Sequence, residues 1–250
     1  MAAPPELAVS EDAPALAAEV ARRTLDALAA AQAARGRAVL ALTAGSILEA
    51  VWQALADSPD AGRVDWRRVD VCWADERFVP ADSDDRNDLP ARRLLFGQEP
   101  FSAARQLSMP ASDGPEPDLD RAAAGYAEQL AGLRRPDDSP GKLPDFDLVL
   151  LGVGPDGHCA SLFPNHPGVH ETGTVIGVRN SPKPPPNRLS FTFDTLNRAV
   201  EIWFVVSGAG KAEAVALAHS GASREQIPSA GPRGRRRTGW LVDRDAASKL

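Results

Sequence analysis

FDLVLLGVGPDGHCASLFP, residues 146–164, decides the fold. Residues 147–151 form a short, almost wholly apolar run closed by Gly152. That is the pattern of a strand buried on both faces of a parallel sheet. Gly152, Gly154 and Gly157 fall within six residues, so the backbone is free to turn sharply and approach a ligand. Asp156 and His158 stand where this strand ends. In an open parallel α/β sheet the ligand crevice lies just outside the carboxyl ends of the strands. A carboxylate and an imidazole two residues apart there suit proton transfer.

Rival readings of the turn are weaker. Residues 152–157 match G-x-G-x-x-G, but the next strand-like run, 174–178, is closed by Arg179 and Asn180 instead of an acid. Pro155 also removes an amide from the turn that would cradle a pyrophosphate. A metal would draw on His158, Cys159, His166 and His170, yet Pro164, Pro167 and Gly168 interrupt any helix between them, and no C-x-x-C pair supports them. Turn and cap chemistry remains a sufficient account of Asp156 and His158 taken alone.

Outward from this stretch, strand-like runs and helical periods alternate. Residues 12–35 are Ala-rich with Leu16, Val20, Leu25 and Leu28 at helical spacing, and stop at Gly36. A buried strand at 39–42 runs into Thr43-Ala44-Gly45-Ser46 and a periodic helix through Leu48, Val51, Trp52 and Leu55. Strand, small-residue turn and helix present a helix N-terminus to a phosphate, although an ordinary cap by Thr43 or Ser46 explains the turn equally well. Residues 69–73 form a third strand, which empties into Asp75, Glu76 and Arg77; in the acidic loop at 82–88, Asp82, Asp84 and Asp85 read as solvated. The loops 110–118 and 134–145 flank a helix over 119–133 and are surface loops, not domain boundaries. The segment 181–188, SPKPPPNR, is stiff and extended, and projects Lys183 and Arg188. Further strands are expected at 175–178, 189–193 and 202–206, with 240–243 closing the sheet. Ser207 to Lys211 again follows a strand and precedes an Ala-rich helix. The class is therefore α/β with a mainly parallel sheet and flanking helices, as one domain over 1–250.

Composition bounds the function. The 250 residues are 43% hydrophobic with a net charge of −6, so one large core is within reach and nothing attracts the chain to nucleic acid or an anionic membrane. The cluster Arg233, Arg235, Arg236 and Arg237 reads as a solvated loop before the last strand. Cys72 and Cys159 suit a reducing compartment, and no signal or membrane span is visible, so a cytoplasmic protein is expected. Four strand ends carry chemistry: 43–46, Asp75 with Arg77, Asp156 with His158, and 207–211. Hydroxyls, glycine amides and cations suit a phosphate, and carboxylates with one histidine suit proton transfer on the molecule that carries it.

WADERFVP (73–80), GVGPDGHCASLFP (152–164), SPKPPPNRLSFT (181–192), VVSGAGKAEAV (205–215) and TGWLVDRDAAS (238–248) together resemble the 6-phosphogluconolactonase family, in family order. The resemblance implies a modified Rossmann-like fold of the phosphosugar isomerase (NagB-like) type. It also implies hydrolysis of 6-phosphoglucono-δ-lactone to 6-phosphogluconate in the oxidative pentose phosphate pathway, with no metal or organic cofactor. The sequence leaves the oligomeric state open, with a monomer favoured. Carried over by position, the resemblance places the general base on His158, oriented by Asp156, and the acid–Arg pair on Asp75 and Arg77. Phosphate-binding groups fall on Thr43, Gly45, Ser46, Arg188 and Lys211, with Lys183 facing the same pocket. The family's turn of the form S/T-G-G-S-T-P is altered here: Ala44 replaces a glycine and Ile47 a small polar residue. An aminosugar-phosphate deaminase pattern would place an acid five positions after His158, where Phe163 stands. A non-catalytic sugar-phosphate sensor would not need Asp75, Arg77, Asp156 and His158 together.

Overall fold

Where an apolar run ends in glycine or charge, the chain forms a strand and then turns away. The computed structural model describes residues 5–250. The first half contains β1 (Glu6–Ser10), α1 (Ala13–Arg35), β2 (Ala38–Leu42), α2 (Ser46–Ala56), β3 (Val69–Trp73), β4 (Asp75–Arg77), α3 (Asp88–Ala91), β5 (Arg105–Leu107) and α4 (Leu119–Ala131). The second contains β6 (Leu148–Leu151), β7 (Val175–Val178), β8 (Arg188–Phe191), α5 (Phe193–Leu196), β9 (Glu201–Val206), α6 (Ala212–His219) and β10 (Arg237–Asp243).

Seven strands form one sheet in the order β1-β10-β9-β6-β2-β3-β5, every neighbouring pair parallel. β2, β3, β6 and β9 are buried along their whole length, because helices and loops cover both faces of the sheet. α1 begins where Asp12 accepts the amide of Ala15 and ends where Gly36, at φ 76°, donates to Gln32. α1 and α2 pack on each other over the sheet.

The expected α/β class is met, with three differences. The runs at 175–178 and 188–191 do not join the main sheet; with β4 they form a separate three-stranded antiparallel sheet, β4-β8-β7, on which α4 packs. β10 does not close the main sheet, because β1 pairs with its outer edge. The arginines at 235–237 are tied down by ion pairs: Arg235 with Asp145, Arg236 with Glu201, and Arg237 with Glu6.

The order of strands contains a reversal. From β2 the chain proceeds through β3 to β5 on one side, and from β6 through β9 to β10 on the other. β2 and β6 are adjacent, with Leu42 paired to Leu150. A ligand crevice opens at such a switch point, between the segments that leave the two carboxyl ends. Those segments are Thr43–Ser46 and Gly152–His158.

Candidate active site

A cavity of about 230 Å³ occupies this switch point. That is small beside the roughly 300–1,000 Å³ of sites for drug-sized ligands, and suits one sugar-phosphate-sized molecule. Thr43, Gly45, Ser46, Asp75, Arg77, His158, Lys183, Arg188 and Lys211 all line it. Asp156 stands behind His158.

The turn after β6 is closed by Gly154, whose amide donates to the His158 carbonyl and whose own carbonyl accepts from Gly157. The His158 ring and the Asp156 carboxylate fold back over Gly154. A Cβ there would lie 2.0 Å from His158 Nδ1 and 2.4 Å from Asp156 Oδ1, so only glycine fits beneath the pair. Nδ1 and Oδ1 are 2.6 Å apart. A carboxylate only accepts, so Nδ1 carries a proton, and in the neutral ring Nε2 keeps its lone pair. Phe163, fully buried, packs against the imidazole with ring centroids 4.7 Å apart. Burial works against ionisation of Asp156, but hydrogen bonds from His158 and Lys183 outweigh it and hold this carboxyl well below the usual carboxylate range.

At the opposite wall β2 turns into α2 through Gly45, at φ 144° and ψ 160°, a conformation that favours glycine. Ala44 and Ile47 therefore depart from the family's turn at positions other than the one that needs glycine. No side chain caps α2, so its first amides and the exposed Ser46 hydroxyl are open to an anion. The Thr43 hydroxyl is engaged otherwise: it donates to the Leu150 carbonyl at 3.3 Å and accepts the Gly152 amide at 2.9 Å, clamping the two halves of the switch point.

β4 places Asp75 and Arg77 on one face, as alternation along a strand requires. Both oxygens of Asp75 are held, Oδ2 by the Ser161 hydroxyl at 2.7 Å and Oδ1 by the Asn87 amide at 3.2 Å. Arg77 donates through Nη1 to the Asp85 carbonyl, while its Nε is buried without a partner. Glu76 points the other way and is fully buried. Its carboxyl accepts the amides of Arg77, Asn87 and Asp88, joining β4 to the loop that supplies Asn87 and Asp85. Burial pushes Glu76 up to about 7, against the pull of Arg86 and these amides.

Two clusters of cations face the cavity, where the sequence suggests one. Arg188 lies opposite Arg77 across the β4–β8 ladder, and is only 3% exposed. Its Nε donates to the Pro185 carbonyl and its Nη2 to those of Lys183 and Pro184, so it braces the proline segment as well as facing the cavity. Burial, then the charge of Arg77, lowers its pKa. Lys211, at the start of α6, is lowered by burial and then by Lys183, with Asp156 opposing. Asp243 supports this second cluster by accepting the Ser207 hydroxyl and the Gly208 amide.

Asn87, Ser161, Glu76 and Asp243 thus hold the site, and none of them is assigned a role from the sequence alone. Only Glu76 carries a visible signal, as a charge inside the Asp75–Arg77 triplet. In the acidic loop Asp82, Asp84 and Asp85 are exposed, as expected, while Arg86, Asn87 and Asp88 are buried. His166 serves the fold: its Nε2–H donates to the Arg179 carbonyl and its Nδ1 accepts from Gly168. Among the described residues no helix is long and apolar enough to cross a membrane.

Comparison with known proteins identifies the family. The family model for glucosamine-6-phosphate isomerases/6-phosphogluconolactonase matches residues 11–240. The 6-phosphogluconolactonase of Streptomyces coelicolor is 47% identical over 98% of this chain and 95% of its own length. That of Mycobacterium tuberculosis is 45% identical over 96% of each chain. The structure of 6-phosphogluconolactonase from Trypanosoma brucei superposes with a TM-score of 0.82 at 27% identity, covering 99% of both chains. The chain belongs to the family of glucosamine-6-phosphate isomerases and 6-phosphogluconolactonase.

Proposed function

We propose that this chain hydrolyses 6-phospho-D-glucono-1,5-lactone to 6-phospho-D-gluconate, the second step of the oxidative pentose phosphate pathway. The observation that carries the reading is the 2.6 Å contact of His158 Nδ1 with Asp156, which leaves Nε2 able to accept a proton at the switch-point cavity. In this reading Nε2 takes a proton from water as the oxygen attacks the lactone carbonyl carbon. Arg77, with an unpartnered Nε, and amides of the glycine turn stabilise the tetrahedral oxyanion. When the bond from that carbon to the ring oxygen breaks, the imidazolium returns its proton to the departing oxygen. The phosphate rests on the N-terminus of α2 with Lys211, near Ser46 and the amide of Gly45.

The identities of 45–47% to named lactonases support the substrate. Phe163 at the fifth position after His158 leaves no acid for the deaminase reaction. We also read the chain as one domain acting as a cytoplasmic monomer; its two free, buried cysteines suit a reducing compartment.

The test is disappearance of the lactone followed by NMR, with product identity seen directly, for wild type and His158→Ala. Loss of the base is expected to lower turnover by about 10²–10⁴-fold with affinity little changed. A variant keeping more than a third of wild-type turnover removes His158 from the role, and a wild type no faster than buffer leaves only a binding protein.

A further inference from the structure

Lys183 does not sit simply among phosphate ligands. Its ammonium donates to Asp156 Oδ1 at 3.0 Å, the same oxygen that His158 Nδ1–H uses, and stands 3.2 Å from Nδ1 itself. Two donors cannot bond to each other, so the contact with Nδ1 is crowding without a hydrogen bond in return. The backbone of Lys183 is fixed: its carbonyl accepts from Ser181 Oγ and from Arg188, and its amide donates to Ser181 Oγ. Only the flexible side chain is left to move. Its other electrostatic neighbour at the cavity is Lys211, a half-buried cation at the start of a helix, where the helix dipole disfavours positive charge. A phosphate dianion bound beside Lys211 would compete with Asp156 for the ammonium of Lys183.

We propose that Lys183 is a specificity-determining residue: it restrains the His158–Asp156 pair until the phosphate of the substrate draws its ammonium toward Lys211. This rests on the reading of His158 as the base. Binding at the far end of the substrate is thereby converted into a better oriented base, and a lactone without phosphate meets a site still under restraint.

The experiment compares kcat/KM for 6-phosphogluconolactone and for unphosphorylated glucono-1,5-lactone, above the spontaneous rates, in wild type, Lys183→Met and Lys183→Met/His158→Ala. Methionine keeps the stem and removes the charge. The expected result is a crossover: the phosphorylated lactone becomes slower and the unphosphorylated one faster, each by about tenfold or more, the equivalent of one charge-assisted hydrogen bond. The gain on the unphosphorylated lactone is expected to vanish in the double variant. If Lys183→Met leaves the unphosphorylated lactone unchanged or slows both substrates alike, Lys183 is a plain ligand or a support and the coupling is wrong. If the double variant keeps the gain, the base is not His158, and the failure lies in that reading.

Discussion

Replacing Gly154 by alanine is expected to leave a folded protein with its proton-transfer pair displaced. The new Cβ would stand 2.0 Å from His158 Nδ1 and 2.1 Å from Cε1, where ordinary contact begins near 3.4 Å, so the ring must retreat by about 1.4 Å. Asp156 Oδ1, at 2.4 Å, must retreat by about 1 Å. The atoms that collide are side-chain ends, and no positive φ is needed at Gly154, so the backbone is not strained. Two side chains forced off their rotamers cost about 1–3 kcal/mol together, or a Tm lower by roughly 2–12 °C at this chain length. The kinetic effect is far larger. A misplacement of about 1 Å is worth on the order of 10²-fold, so kcat is expected to fall by at least about that factor and approach the loss on removing the base. Steady-state kinetics on the phosphorylated lactone, with calorimetric Tm on the same samples, separates the two effects. A Gly154→Ala protein with a near-normal Tm and more than a third of wild-type kcat would refute the claim that the His158–Asp156 geometry carries the reaction.

Lys211→Ala is expected to lower kcat/KM for the phosphorylated lactone by roughly 10- to 150-fold, one charged hydrogen bond, and to spare the unphosphorylated one. Arg188→Ala, which also frees the carbonyls of residues 183–185, is expected to lower both; equal sparing of the unphosphorylated lactone by the two variants would show that Arg188 is a phosphate ligand only. Glu76 has a folded-state pKa raised to about 7 from 4.5 by burial. Its contribution to stability is thus fully present below about pH 4.5 and is lost as the pH rises to about 7. Chemical unfolding across that window should show the stability of wild type relative to Glu76→Gln falling, then levelling; a difference independent of pH means that Glu76 titrates normally. Exhaustive chelation is expected to leave activity intact, because among the described residues no three His, Cys, Asp or Glu side chains converge on a point; activity lost to chelator and restored by one divalent ion overturns this.

What the sequence reveals divides by distance along the chain. β2, β3, β6 and β9 are legible because burial on both faces leaves unbroken apolar runs. β1 is not, since an edge strand with exposed Leu7 and Val9 looks like any short mixed segment, nor is β5, whose Arg105 pairs with Asp70 at the other edge. Residues 175–178 and 189–193 read as strands, but alternation does not say which sheet they join. The contact of Asp156 with His158 spans two residues and is visible. The grip of Ser161 on Asp75 spans 86 residues and that of Lys183 on Asp156 spans 27, and neither leaves a local pattern. Arg188 and Lys211 both line the cavity, but charge alone cannot show that they belong to different clusters.

The adjacency of β2 and β6 has a consequence for synthesis on the ribosome. One edge of β2 stays unpaired until residues 148–151 emerge, on the order of 100 residues later, or about 5–20 s at usual translation rates. Ala38 to Leu42 is wholly apolar, and an exposed apolar strand edge invites addition of a strand from another chain. β1 waits longer still, because its neighbour in the sheet is β10. A nascent chain released before residue 148 lacks the glycine turn and bears a bare, sticky edge. Chaperone supply and translation speed are therefore expected to bear on the yield of soluble protein.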